Sequence, residues 1–387
     1  MYTLLLAVIY LAFISLGLTD SLLGSAWPTM QGAFDVPISY MGFVSMIISG
    51  GTICSSLMSE RATKRFGTRN VTIFSVFLTA AALFGFSTVR QFWMLCLWGI
   101  PYGLGAGAID AALNNYVATH YNSRQMSWLH CFWGVGTVIS PYIMSYALTH
   151  ADWNSGYRGV SFLQFGILLV LLVTMPLWKI HQKQEEEQSK TKILGLGGAL
   201  RISGVPYLLF GFFSYCAAES TAMLWTSSFL AGTRGISNKT AAAFGSLFFI
   251  GITAGRFLAG FISDRLGDWK MIRLGTAVAL SGVVCIFLPL QTDVLVLAGF
   301  IIIGLGCAPV YPSIIHATPA NFGAENSQAI IGIQMASAYI GSTFIPPLFG
   351  LLANHISLKL LPFYLAFFFL LMIFMLKTAF RKAGSMA

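Results

Sequence analysis

Charge is what this sequence has least of. Only 9% of its 387 residues are Asp, Glu, Lys or Arg, against about 25% in soluble domains. With 56% hydrophobic residues and a mean hydropathy of +0.76, a water-soluble globule is excluded. Cysteine chemistry is missing as well. Cys54, Cys96, Cys131, Cys216, Cys285 and Cys307 stand singly in apolar segments with no CxxC spacing, so they read as small packing residues rather than disulfides or metal ligands. No metal-ligand cluster, no nucleophile beside a base and no Gly-Lys-Ser/Thr nucleotide signature occurs. An enzyme, a cofactor and ATP as energy source are therefore not expected. Met1-Tyr2-Thr3 offers no basic start of a cleaved signal, so the first apolar run is expected to be a retained membrane helix. The net charge of +9 invites nucleic acid, but the basic residues are dispersed among short loops and look like topology signals.

What is present is apolar length. A bilayer-spanning helix needs roughly 20 apolar residues, and twelve runs of about that size occur: 4–27, 39–58, 71–89, 92–118, 127–149, 160–180, 205–231, 241–262, 270–290, 293–316, 327–353 and 360–379. The expected fold is all-α and integral to the membrane, with two pseudo-symmetric six-helix bundles. A polar, charged stretch from His181 to Lys192 lies near the midpoint. It sets the expected division into an N-terminal bundle (1–180), a cytoplasmic linker with helix-forming composition (181–203) and a C-terminal bundle (204–387). If the amino terminus is cytoplasmic, 16 of the 22 Lys and Arg fall inside. Arg90, Arg158, Arg234, Lys239 and Lys359 fall outside, and Arg256 lies within a helix. The positive-inside rule thus favours a multi-pass plasma-membrane protein with both termini in the cytoplasm.

The stretch Gly17 to Pro28 places Asp20 inside the first run. A carboxylate at that depth costs at least about 2.5 kcal/mol and must face a cavity or a partner. Offset by 199 residues, the chain repeats the device, with Glu219 answering Asp20 and, at 198, Trp225 answering Trp27. Other echoes fall 200 or 201 residues apart: Gly51 and Gly251, Gly67 and Gly267, Gly103-Leu-Gly105 and Gly304-Leu-Gly306. Duplicated halves with a solute site near the midplane are a recurring transporter plan. Gly103 and Gly107 form a small-xxx-small face for close helix packing rather than a nucleotide loop.

Together, the twelve runs, the repeat, the central linker and the loop Gly260-Phe-Ile-Ser-Asp264-Arg265-Leu-Gly267 resemble the major facilitator superfamily. The resemblance implies a cytoplasmic latch of helix-end charges at Asp264 and Arg265. The first-half copy of the loop departs from the family, with Lys64 where an acid is usual. Four features look like the fucose permease and bacterial glucose symporter branch: Asp20; Gly103 to Asp110 with Asn114; Tyr215 to Glu219; and Gly304 to Pro312. That branch implies acids in helices 1 and 4 serving a proton and a sugar.

From the residues themselves, Asp20, Asp110 and Glu219 are candidates for carrying a coupling proton. Their alternative is a structural acid locked to Arg256 or to helix ends. Asn114 and Asn115 offer amides to hydroxyls, or bond between helices. Trp27, Trp133, Tyr215, Trp225 and Tyr311 can stack on a sugar, or serve packing and the interfacial belt. His130, one turn before Trp133, and Gln334 are further candidate ligands. The leading expectation is proton-coupled symport of a monosaccharide or similar polyhydroxylated solute by alternating access, in a protein that works as a monomer. The alternative is proton-antiport efflux of drugs or amphipathic metabolites. Sodium remains open as the coupling ion, as does the identity of the solute.

Overall fold

The computed structural model describes residues 2–37, 40–181, 193–236, 238–288 and 293–384. The described residues form helices and no strands. In chain order the helices are α1 (Tyr2–Asp20), α2 (Leu22–Phe34), α3 (Met41–Phe86), α4 (Phe92–His120), α5 (Ser123–His150), α6 (Trp153–Val173), α7 (Gly195–Arg201), α8 (Val205–Arg234), α9 (Asn238–Leu266), α10 (Asp268–Phe287), α11 (Asp293–Cys307), α12 (Val310–Phe322), α13 (Ala324–His355) and α14 (Leu361–Lys382). Among the described residues nine helical segments are long and apolar enough to cross a membrane, and ten if α7 and α8, bent by 103°, form one span.

The twelve apolar runs map onto these helices with instructive differences. Runs 39–58 and 71–89 lie on two helices that meet at a kink at Gly67 (φ 76, ψ 153), within the 46-residue stretch labelled α3. Gly267 repeats the turn between α9 and α10 with φ 77 and ψ 159. Only glycine adopts such dihedrals without strain, so the 200-residue echo is a repeated backbone corner. Two other runs are interrupted. The first breaks at Ser21, whose hydroxyl bonds to the Thr137 carbonyl, while the Ser25 hydroxyl bonds to the Ser21 carbonyl and competes with the helical ladder there. The tenth breaks at Ala308-Pro309, between α11 and α12, because proline supplies no N–H. The linker expected over His181–Lys192 lies beyond the described residues, apart from His181, where a short 3-10 segment ends.

The chain divides into two compact units, Met1–Tyr116 with Leu129–Gly195, and Val117–Trp128 with Leu196–Ala387. The sequence placed 117–128 in the N-terminal bundle; the structure groups it with the second unit. The reason is polar: Arg124 and Ser123 bond to Asp264 and Asp268, and Trp128 lies against Gly260 and Phe261.

Within each unit, glycines let helices touch. A Cβ on Gly103 would overlap the carbonyl of Ile48, and one on Gly107 the carbonyl of Thr52, so α4 lies directly on α3. In the second unit, Gly251 and Gly304 do the same between α9 and α11, against Ile301 and Phe248. Gly103→Leu is expected to cost at least about 1–3 kcal/mol through overpacking, read as a lower thermal midpoint in detergent. Gly50→Ala, with nothing within 4 Å of its added methyl, is the neutral control.

Candidate functional site

The first unit holds a cavity of about 510 Å³ whose wall includes Asp20. Helix α1 ends on Asp20 at the Ser21 break, which turns the carboxylate out of the helix and leaves it exposed to the cavity. Its Oδ1 accepts a hydrogen bond from the Tyr102 hydroxyl at 3.3 Å, and its Oδ2 accepts one from Trp133 Nε1 at 2.8 Å. Among the described residues no Lys, Arg or His pairs with it. The rest of the wall is rich in hydroxyls, including Ser21, Ser25, Ser45, Ser49 and Tyr157. Phe86 stacks on Tyr102 at 6.1 Å and meets Tyr157 edge-on at 5.4 Å. The Tyr157 hydroxyl is buried and has no hydrogen-bond partner among the described residues. The wall therefore combines an unneutralised carboxylate, neutral donors and aromatic faces, the mix that recognises a polyhydroxylated solute.

A second polar chain runs through the same unit. Asn114 Nδ2 donates to Asp110 Oδ1 at 2.8 Å, and Asn114 Oδ1 faces His130 Nε2 at 3.0 Å. Since Oδ1 only accepts, His130 donates from Nε2. Phe13 covers the His130 ring edge-on at 5.6 Å. Asp110, Asn114, Asn115 and His130 are all buried, Asn114 fully. Asn114 thus already bonds to an acid and a histidine within its own unit, the between-helix alternative stated for it above. Trp27 is also buried, edge-on to Phe92, and is not part of the cavity wall.

In the second unit the acid is paired. Arg256 Nη2 lies 3.3 Å from Glu219 Oε1, with both side chains largely buried. Tyr215, one turn before Glu219, donates to the Cys307 carbonyl at 2.9 Å, at the α11–α12 interruption. Its ring sits 6.0 Å from that of Tyr311, which Phe212 also contacts at 4.8 Å. Trp225 donates to the Pro346 carbonyl at 2.9 Å. Gln334 is fully buried. It accepts from Thr318 at 3.0 Å, while its Nε2 has no partner among the described residues. Asp20 and Glu219, equivalent by repeat, thus differ in kind: one is open to a cavity, the other is ion-paired.

The loop motif forms its own cluster. Asp264 accepts the Arg124 backbone N–H at 2.9 Å and pairs with Arg124 Nε at 3.3 Å. Asp268 accepts from Ser123 at 2.8 Å and faces His316 Nδ1 at 2.7 Å, while His316 Nε2 faces the Tyr121 carbonyl at 3.1 Å. Arg265, expected to share in this latch, is exposed and outside it. In the first unit, Lys64 pairs with buried Glu60 at 2.9 Å. Glu60 also accepts the backbone N–H groups of Leu194 and Gly195 at 2.7 and 2.8 Å. The basic residue at position 64 therefore balances an acid one turn earlier that grips the chain leading into α7.

The sequence profile of the Major Facilitator Superfamily matches residues 9–333 and 208–384. The chain belongs to the major facilitator superfamily. Its fold agrees: the superfamily's proton:xylose symporter XylE, bound to 6-bromo-6-deoxy-D-glucose, superposes with a TM-score of 0.79 over 95% of this chain and 94% of its own, at 13% identity. The superfamily transporter FucP, in its outward conformation, gives 0.80 over 97% and 98%, at 15% identity. In sequence, the glucose/mannose transporter GlcP of Bacillus subtilis is 22% identical over 366 residues, 91% of this chain and 88% of its own length. The chain is therefore a multi-pass membrane transporter of this superfamily, with sugar symporters among its structural neighbours, and it is not an enzyme.

The cavity wall contains residues that the sequence reading passed over: Tyr102, Tyr157, Ser21, Ser25, Ser45 and Ser49. A signal for the serines was present. Ser45, Ser49, Thr52, Ser56, Ser59 and Thr63 recur at three- and four-residue intervals along an apolar run, which puts hydroxyls on one helix face.

Proposed function

We propose that this transporter couples the uptake of a monosaccharide or similar polyhydroxylated solute to proton entry, with Asp20 carrying the proton. The reading rests on one observation above the others: Asp20 faces a hydroxyl-lined cavity and has no cation beside it among the described residues. An ion-paired carboxylate resists protonation, whereas one held only by neutral donors can take up and release a proton. GlcP is named a glucose/mannose transporter and XylE a proton:xylose symporter, which supports the solute class.

The donors around Asp20 favour one oxygen for the proton. An indole N–H donates only, whereas a phenol both donates and accepts. A proton on Oδ2 would point at the Trp133 donor, but an O–H at Oδ1 can donate a hydrogen bond to the Tyr102 oxygen once that hydroxyl turns. The neutral acid is therefore Oδ1-protonated and oriented by Trp133. Tyr157 and the serines then meet the hydroxyls of the solute, with Phe86 and the tyrosine rings against its C–H faces. Asp110, Asn114 and His130 brace the same unit, and the Glu219–Arg256 pair is a structural counterpart rather than the proton carrier. In this reading the basic loops and both termini are cytoplasmic, the membrane is the plasma membrane, and a monomer performs alternating access.

The test is uptake into proteoliposomes under an imposed pH gradient, after a thermal-shift screen with D-glucose, D-mannose, D-xylose and L-fucose. Binding raises the unfolding midpoint; no shift with any sugar, combined with efflux of an amphipathic dye, would favour antiport instead. Tyr102→Phe removes the hydroxyl that donates to the Asp20 carboxylate and that would accept a hydrogen bond from its protonated form. A hydrogen bond to a charged group is worth about 1.5–3 kcal/mol, so driven uptake is expected to fall at least about tenfold. Trp133→Phe is expected to slow transport without lowering the final accumulation. The reverse ranking would contradict the Oδ1 assignment.

A further inference from the structure

A second concavity, of about 450 Å³, lies in the other unit between α10 and α14, remote in chemistry from the Asp20 chamber. Lys270 and Arg273 stand at one end of it. Leu274, Ala277 and Leu280 continue its wall along α10, and Ile373 of α14 closes the other side. Both cations are exposed, and among the described residues neither makes an ion pair or hydrogen bond. The nearest acid in sequence, Asp268, is already bonded to Ser123 and His316. Lys377 lies one helical turn beyond Ile373 on α14 and is exposed too, adding a third positive charge to the same end.

The apolar part runs from Arg273 to Leu280, about 10 Å of helix at 1.5 Å per residue. The surface around it is lipid-facing in character: Leu274, Leu370 and Phe374 are 45%, 55% and 64% exposed, and in a membrane transporter such side chains meet hydrocarbon. Trp269 precedes Lys270 and packs edge-on against Phe380 of α14 at 5.5 Å. It joins the two helix ends at the level where tryptophan favours the headgroup boundary. The groove is thus amphipathic along the membrane normal, basic at its rim and greasy below.

We propose that this groove is a binding site for an anionic phospholipid, with the phosphate held by Lys270 and Arg273 and one acyl chain laid along Leu274, Leu280 and Ile373. Basic pockets between helices at the membrane surface favour anionic headgroups, and guanidinium with ammonium offers donors matched to a phosphodiester. A zwitterionic headgroup would bring its own cation against Lys270 and Lys377, so the site discriminates by net headgroup charge.

The experiment is native mass spectrometry of the purified full-length protein, titrated with phosphatidylglycerol, phosphatidylcholine or inorganic phosphate. The wild type is expected to retain one phosphatidylglycerol and to bind phosphatidylcholine more weakly. Near a membrane each basic residue is worth about a factor of five, so Lys270→Ala with Arg273→Ala should lose roughly 30-fold in phosphatidylglycerol affinity. The charge-preserving pair Lys270→Arg and Arg273→Lys should keep it. Equal retention of the two lipids, unchanged affinity in the alanine pair, or thermal stabilisation by inorganic phosphate alone equal to that by the lipid would each overturn the proposal. A misfolded alanine pair is recognised by its far-ultraviolet circular dichroism; the single variant Arg273→Gln, expected to lose about fivefold, then takes its place.

Discussion

Asp20→Asn is expected to abolish accumulation while leaving exchange intact. One pH unit corresponds to a factor of ten, so a gradient of two units driving one proton per solute can concentrate that solute about 100-fold inside proteoliposomes. The asparagine keeps the shape and an acceptor for Trp133 Nε1, which lies 2.8 Å from Oδ2 in the wild type, but it cannot take up a proton. Its internal solute should therefore equal the external concentration, a ratio near one, while counterflow of labelled against unlabelled solute continues. Accumulation of about 100-fold by the variant would assign the proton elsewhere, and loss of counterflow together with accumulation would assign Asp20 to solute binding alone.

The second large effect concerns stability. Glu219 and Arg256 form a largely buried ion pair at 3.3 Å, and removing one partner of such a pair costs about 3–5 kcal/mol because the other charge loses its compensation. Glu219→Gln is expected to lower the thermal midpoint sharply. Glu219→Gln combined with Arg256→Met should recover most of the loss, since replacing both charges with apolar or neutral groups is often nearly neutral. The protein that survives as Glu219→Gln should still accumulate solute, because Asp20, the proposed proton carrier, is intact. A single variant as stable as the wild type would show that the pair contributes nothing, and an uncoupled but stable Glu219→Gln would move the proton to the second unit.

These two outcomes separate acids that the sequence could only group. Asp20, Asp110 and Glu219 are conspicuous in apolar runs for the same energetic reason, and nothing in their local spacing ranks them. The distinction comes from their partners: Tyr102 and Trp133, distant in the chain, for Asp20; Asn114, one turn away and itself bonded to His130, for Asp110; and Arg256 for Glu219. The fold was far more legible, because apolar length reports membrane spans directly and Gly67, Gly267, Gly103 and Gly304 mark repeated corners and contacts. Helix interruptions were harder to read. Ser21 and Pro309 lie within runs that stay long and apolar overall, and a broken helix differs from a straight one only in where a few hydroxyls and carbonyls bond. The cavity wall was least legible, since Ser45 and Ser49 look like ordinary small residues until Asp20 is placed opposite them. The grouping of 117–128 with the second unit was hidden for the same reason: Arg124 reads as a topology charge until Asp264 is found beside it.

Proton uptake on solute binding tests the central claim most directly. The purified transporter in weakly buffered detergent solution, with a pH-indicating dye, is mixed with the sugar that gives the largest thermal shift. The wild type should take up close to one proton per solute bound over some part of the pH range, and Asp20→Asn should bind the sugar with no proton uptake. Equal uptake by the two proteins would contradict the account.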